Sequence, residues 1–271
     1  MSSVSHGARA AGPAETRRLH VVVRPGDPAR TPLLLMNGIG AALEALQPFV
    51  DALDPAIPVI RFDAPGVGHS PPSPVPYRFP ALARRVGRML DDLGHPRVDV
   101  LGISWGGGLA QQFAVTQRFR CRRLVLVATA TGSVMVPASP LVLRHMLTPR
   151  RYTDRGYVRH VAGHLYGGTA RTDPALVARL LNQGYPPGYT YQLIAGMGWT
   201  SLALLPLIRQ PTLVLAGDDD PIIPLANSRI LHTLIPHAQR HIYPGGHLEL
   251  VCAPDRIVPV VEQFLAGQPH R

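Results

Sequence analysis

The sequence predicts an α/β fold: a mostly parallel, doubly wound sheet with a helical cap inserted late in the chain. Three observations carry this expectation. Short apolar runs alternate with stretches of helical spacing, which is the pattern of successive βαβ units. The runs are apolar almost throughout instead of every second residue, as expected of strands covered on both faces. The alternation then stops between residues 132 and 205, where helix-like pieces rich in Gly, Pro and Tyr hold six of the chain's eight tyrosines.

The elements follow in order. RLHVVVRP, TPLLLMNG, IPVIRFDAPG, RVDVLGIS, RRLVLVATA, QPTLVLAGDDD and AQRHIYPGG read as strands. ALEALQPFVDALD, FPALARRVGRMLDDLG, GGGLAQQFAVTQRF, ANSRILHTLIP and PDRIVPVVEQFLAGQ carry apolar residues at helical spacing and end near Gly or Pro. PLVLRHML, PALVARLLNQG and TYQLIAGMGW are the helical pieces of the cap, whose aromatics are expected to face a pocket. The organisation expected is a flexible tail over residues 1–16, a core over 17–131 and 206–267, and the cap over 132–205.

Composition bounds the function. The chain has 271 residues, 16% charged and 46% hydrophobic, a globular balance able to bury a sizeable core. The net charge is +10, and all 27 basic residues are arginine. Codon bias in a GC-rich genome and attraction to an acidic partner both account for that. No arginine cluster carries the aromatic interleaving of a nucleic-acid surface, so no nucleic-acid partner is expected. Two cysteines, Cys121 and Cys252, form no spaced framework and read as free thiols in a reducing compartment. No secretory h-region and no membrane span of about 18 apolar residues is visible, so the expected location is cytoplasmic.

The chemistry begins at VDVLGISWGGGLAQQ, residues 98–112. Gly102-Ile103-Ser104-Trp105-Gly106 fits G-x-S-x-G between a strand and a helix, the context that gives the motif meaning. A serine on so sharp a turn needs neighbours without Cβ atoms, here Gly102 and Gly106. The helix that follows offers free N–H groups and a positive dipole end to an oxyanion. A serine hydroxyl is a weak nucleophile near neutral pH, and needs a base that is itself oriented by a carboxylate.

Downstream, LVLAGDDDPIIP supplies the acid and YPGGHLEL the base, both at strand ends, in the chain order Ser, acid, His. Asp220 is the preferred acid because Pro221 fixes its turn, with Asp218 and Asp219 as alternatives. His247 is the base by its glycine loop and its order; His232, His237 and His241 fall in the preceding helix, its exit or the last strand. The two oxyanion donors expected are the N–H groups of Trp105 and of Ile39, the latter in LLLMNGIGAA with Asn37 and Gly38 in support. RFDAPGVGHSPP is a second glycine loop, expected to brace the site. No phosphate-binding lysine, dinucleotide fingerprint or metal-ligand cluster is visible in the sequence, so no metal and no organic cofactor is expected.

With these residues in view, the chain resembles the α/β-hydrolases from NGIG through DAPGVGHS, GISWGG, the acid turn and GGHL. It more closely resembles the intracellular depolymerases of medium-chain-length polyhydroxyalkanoates. GISWGGGLAQQFA, ATATGSVMVP, TPRRY, GMGWTS and PTLVLAGDDDPIIPL carry that likeness, which runs from about residue 20 to 265. The resemblance implies the α/β-hydrolase fold and hydrolysis of stored polyester through an acyl-enzyme, with nucleophile, acid and base on Ser104, Asp220 and His247. Asn37-Gly38 stands where many α/β-hydrolases have His-Gly, and looks like the depolymerase pattern. The related polymer synthases use cysteine as nucleophile; Ser104 fits breakdown. The implied partners are a polyester granule and its coat proteins, and the implied location is the cytoplasm at the granule surface. Tyr189, Tyr191 and Trp199 are candidates for the pocket wall, with plain core as the alternative. A hydrolase of small esters, a 3-hydroxyacyl transferase and a non-catalytic granule protein are the competing functions.

Overall fold

The computed structural model describes residues 18–148, 150–180 and 186–267. The expected tail over residues 1–16 lies outside them.

Among the described residues, seven strands form one sheet in the order β1-β3-β2-β4-β5-β6-β7. They are β1 (Val21–Arg24), β2 (Leu33–Met36), β3 (Val59–Phe62), β4 (Val98–Ile103), β5 (Cys121–Val127), β6 (Thr212–Gly217) and β7 (Ala238–Tyr243). All neighbours are parallel except β1, which runs antiparallel to β3 at one edge. The chain order reverses beside β2 and β4, which pair in the register Met36 with Gly102. In open α/β sheets such a switch point opens a crevice at the carboxyl ends of the strands.

The continuous apolar runs have a simple cause. Leu34, Val100, Leu124, Leu126 and Val214 enter one core cluster with α2 (Phe79–Asp92) and α3 (Trp105–Thr116). The residues between them, including Leu33, Leu35, Leu101, Val125, Leu213 and Leu215, enter the other cluster. That second cluster packs on α1 (Gln47–Ala52) and, at the chain's end, on Val258, Val261 and Phe264. Successive side chains of a strand point to opposite faces, so a sheet covered twice needs apolar residues at every position. Each side chain so buried stabilises the fold by about 1.5–3 kcal/mol relative to exposure. The edge strands lack a cover on part of their surface, and AQRHIY of β7 is accordingly mixed in polarity.

Between β5 and β6 lie α4 (Pro140–Leu147), α5 (Arg150–Thr153), α6 (Arg155–Tyr166), α7 (Thr169–Thr172), α8 (Pro174–Leu180) and α9 (Tyr189–Gly196). The helical spacing of the sequence marks α4, α8 and α9 but not α6, whose twelve residues include two glycines and two histidines. Its ends are nevertheless marked: the Asp154 carboxylate accepts the Tyr157 N–H, and Gly167 closes the helix at φ 64°. Val142, Val158, Val161, Leu165, Tyr166 and Val177 form a small core of their own. Of the aromatics expected to face a pocket, Tyr157 and Tyr166 instead pack into that core. Tyr185 and the side chain of Tyr152 lie outside the described residues.

The chain closes with α10 (Ala226–Leu234), α11 (Glu249–Cys252) and α12 (Val258–Leu265). No described helix is long and apolar enough to cross a membrane. Cys121 and Cys252 are both free thiols.

Candidate active site

Ser104 stands between β4 and α3 with φ 54° and ψ −120°, a conformation that non-glycine residues adopt only when their surroundings force it. The forcing contacts are visible. The Ser104 N–H donates to the carbonyl of Val127 (2.9 Å), and the Ser104 carbonyl accepts from the Gly107 N–H (2.9 Å) and the Thr129 hydroxyl (2.7 Å). The flanking glycines are explained by crowding. A Cβ on Gly106 would collide with the carbonyl oxygens of Met36 and Asn37, and one on Gly102 with the carbonyl of Gly106. The turn is tight because α3 starts almost against the end of β2.

The structure brings Ser104, His247 and Asp220 into one row. Ser104 Oγ lies 3.0 Å from His247 Nε2, and His247 Nδ1 lies 2.8 Å from Asp220 Oδ2. A carboxylate only accepts, so it fixes the proton on Nδ1 and leaves Nε2 to accept from the serine hydroxyl. Asp220 Oδ1 in turn accepts the N–H groups of Ile222 and Ile223, each at 2.9 Å. The Asp220 carboxylate is thus aimed by its own turn, and Asp220 and His247 are 8% and 5% exposed, which strengthens their interaction.

The alternatives to Asp220 have other partners. Asp218 accepts the Gly245 N–H at 2.9 Å, tying the acid turn to the base loop. Asp219 pairs bidentately with Arg171 (2.6 and 2.7 Å) and accepts the Gly168 N–H (2.7 Å). The Arg171 guanidinium holds the Asp219 carboxyl below the ordinary carboxylate range.

The cap meets both loops at one turn. His247 donates its N–H to the Tyr166 carbonyl at 2.7 Å. Glu249, 1% exposed, accepts the Thr169 hydroxyl (2.7 Å) and Arg256 (3.1 Å). Gly167 and Gly168 have φ 64° and 49°, and Cβ atoms there would overlap the backbone of Asp219 and Gly246. Only glycine allows that approach. Neither Glu249 nor Arg171 stands in a motif that marks it in the sequence. Glu249 lies two residues after His247, but its partner Thr169 is 80 residues away in the chain.

On the other side of Ser104, the loop after β2 is close enough that a Cβ on Gly38 would sit 3.8 Å from the Ser104 Cβ. Asn37 shapes this loop: its side chain accepts the Gly38 N–H (2.8 Å) and donates to the Ala42 carbonyl (2.6 Å). Among the described residues, the N–H groups of Ile39 and Trp105 make no hydrogen bond. Trp105 follows Ser104 directly in the chain, and Ile39 follows Gly38 in the loop that lies beside it.

Of the pocket candidates, Trp199 packs edge-on against Phe79 at 4.8 Å and donates its indole N–H to Gln112 (2.9 Å). Tyr191 meets Tyr77 edge-on at 6.5 Å. Both pack against the core cluster under α2 and α3, and neither makes a hydrogen bond or ring contact with Ser104, His247 or Asp220 among the described residues. Tyr189 is buried at the head of α9.

The glycine loop RFDAPGVGHS is a brace. The buried Asp63 carboxylate accepts the N–H groups of Leu43 (2.8 Å) and His69 (2.9 Å) and bonds His20 Nδ1 (3.0 Å). His20, Asp63 and His69 offer ligand atoms within 4.8 Å of one another, a grouping that the spacing in the chain did not reveal. Both carboxylate oxygens there already serve the fold.

Comparison with known proteins agrees with this fold. Residues 31–251 match the family described as alpha/beta hydrolase fold. The chain is 51% identical to a poly(3-hydroxyalkanoate) depolymerase of Ectopseudomonas oleovorans, over 95% of this chain and 92% of that protein. It is 27% identical to 3-oxoadipate enol-lactonase 2 of Acinetobacter baylyi, over 89% and 90% of the two chains. Among solved structures, a hydrolase from Pseudomonas aeruginosa superposes with a TM-score of 0.77 at 26% identity, covering 92% of this chain and 94% of that one.

Proposed function

The chain belongs to the α/β-hydrolase family, and we propose that it is a serine hydrolase of intracellular medium-chain-length poly(3-hydroxyalkanoate), releasing 3-hydroxy acids and oligomers. The observation that carries the substrate class is the 51% identity to a poly(3-hydroxyalkanoate) depolymerase over nearly the whole of both chains. It extends through the cap, where hydrolases of this fold differ most. The row Ser104, His247 and Asp220 supports the reaction type.

Ser104 Oγ attacks the ester carbonyl as His247 Nε2 takes its proton. The Asp220 carboxylate holds the imidazole and stabilises the charge it gains. The N–H groups of Ile39 and Trp105 receive the oxyanion, a contribution of about 10²–10³ in rate per donor. His247 then gives its proton to the departing hydroxyl of the polymer, leaving the acyl group on Ser104. Water, deprotonated by His247, attacks the acyl carbon and releases the acid. Every proton moves through the one imidazole.

The enzyme works at the surface of cytoplasmic storage granules, in contact with polymer and with granule-coat proteins. Val134, Leu193 and Met197 are exposed large apolar side chains between β5 and β6, and they support contact with an apolar surface. Hydrolysis of small soluble esters is the competing reading, favoured by the likeness to an enol-lactonase. The deciding experiment offers amorphous medium-chain and short-chain polymers and p-nitrophenyl alkanoates to the same preparation. Release of 3-hydroxy acids from the medium-chain polymer supports the proposal. Cleavage of the soluble esters with no release from either polymer contradicts it.

A further inference from the structure

We infer that Gln192, on the cap helix α9, is a positioning residue for the oxyanion hole. The inference rests on the reading of Ser104, Ile39 and Trp105 given above and extends it to a residue outside the sheet.

Four consecutive N–H groups run from Gly38 to Ala41, and three of them have partners. Gly38 donates to Asn37 Oδ1 (2.8 Å), Ala41 to the Gly38 carbonyl (3.3 Å), and Gly40 to Gln192 Oε1 (2.8 Å). Among the described residues the Ile39 N–H makes no hydrogen bond, which leaves it for a ligand. Its peptide plane is set by its neighbours, and the next plane along is held by Gln192. Gly40 has φ 73°, and glycine there is free enough that the loop needs an external anchor to keep one conformation.

Gln192 also holds the other donor's residue. Its backbone carbonyl accepts the Trp105 indole N–H at 2.9 Å. Gly196, one turn further along α9, lies against the same indole, with a Cβ there 3.8 Å from its Nε1. One side chain and one carbonyl of a single cap residue therefore grip both halves of the hole, 87 and 152 residues away in the chain. Gln192 is 1% exposed, so its amide oxygen has no water to turn to and the bond to Gly40 is favoured.

The grip is firm because α9 itself is seated. Gly188 donates to the Gly66 carbonyl (2.8 Å) at the helix start, and Arg78 donates to the Ile194 carbonyl (3.0 Å) further on. A Cβ on Gly66 would lie 2.7 Å from Gly188. The cap thus does more than cover the site: α9 braces the loop that receives the oxyanion.

The test compares Gln192→Met, which keeps length and loses the acceptor, with Gln192→Glu, which keeps an acceptor oxygen. Each is assayed with wild type and Ser104→Ala on a p-nitrophenyl alkanoate, and each is titrated with a boronic acid that mimics the tetrahedral intermediate. Gln192→Met is expected to lose roughly 10–100-fold in kcat with KM nearly unchanged, the scale of a misplaced catalytic group. The boronic acid should weaken by a similar factor, the pH profile should hold its midpoint, and Gln192→Glu should recover most of the loss. A KM increase with kcat intact would show that Gln192 only lines the substrate path, and an unchanged kcat in Gln192→Met would also overturn the inference. A kcat loss shared equally by Gln192→Glu, with no matching loss of boronic acid affinity, would mark a general folding defect and refute it too. If wild type cleaves no ester, or Ser104→Ala cleaves as well as wild type, the underlying reading of the site fails instead.

Discussion

His247 Nε2 lies 3.0 Å from Ser104 Oγ across 143 residues of chain. Neither residue moves freely: Ser104 is held in a strained turn by Val127, Gly107 and Thr129, and His247 is held by Asp220 and by the Tyr166 carbonyl. Preorganisation of this kind means that removing the hydroxyl should leave the fold intact. Ser104→Ala should retain the wild-type melting temperature and lose about 10⁴-fold or more in kcat, measured by thermal denaturation and ester hydrolysis on the same sample.

The three adjacent aspartates should separate cleanly. Asp220→Asn places an amide where His247 needs an acceptor and where two backbone N–H groups already point, so kcat should fall about 10³–10⁴-fold. Asp218→Asn keeps an oxygen that can accept the Gly245 N–H and Asp219→Asn only weakens the tie to Arg171, so their effects on kcat should be far smaller. A mild Asp220→Asn beside a severe Asp218→Asn would move the acid to the other residue.

Two glycines close to Ser104 should fail in different ways. Gly106→Ala drives a Cβ into the carbonyls of Met36 and Asn37, which costs on the order of 3 kcal/mol in stability and should lower the melting temperature. Gly38→Ala meets only the Ser104 Cβ, at 3.8 Å. It should fold normally while kcat/KM falls about tenfold, because the methyl enters the space the ester carbonyl needs.

The tie between Asp219 and Arg171 should give way in acid. The guanidinium lowers the Asp219 carboxyl below its ordinary range in the folded protein. Its stabilisation is therefore complete above the unfolded carboxylate value, about 3.9, and is lost as pH falls through the lower folded one. Both side chains are half-exposed, so the tie is worth about 0–1 kcal/mol. The melting temperatures of wild type and Asp219→Asn should differ slightly at pH 6 and converge towards pH 3.

Burial pushes the Cys121 thiol well up and the Cys252 thiol up to about 12. Neither should react with a thiol reagent at pH 8 in the native protein, and both should react after denaturation.

Much of this was legible in the sequence, for reasons that differ by element. Strands such as LVLVA and TLVLAG declare themselves because both faces of the sheet are covered. Ser104, Asp220 and His247 could be named because a tight elbow, a turn ending in Pro221 and a glycine loop each leave a local mark. α6 was missed because its helical spacing is diluted by Gly156, Gly163, His160 and His164, although Asp154 and Gly167 mark its ends. Gln192, Arg171 and Glu249 left no local mark at all. Each is an ordinary polar residue whose meaning comes from a partner 48 or more residues away, and only the fold supplies that partner. The same holds for Trp199, whose place against Phe79 and Gln112 depends on how the cap returns to the sheet.

The most direct test of the central claim is the release of 3-hydroxy acids from amorphous medium-chain-length polyester granules, with wild type and Ser104→Ala side by side. Wild type is expected to release them, and Ser104→Ala to release none above background. Equal release by both proteins, or no release by a wild type that still cleaves soluble esters, would contradict it.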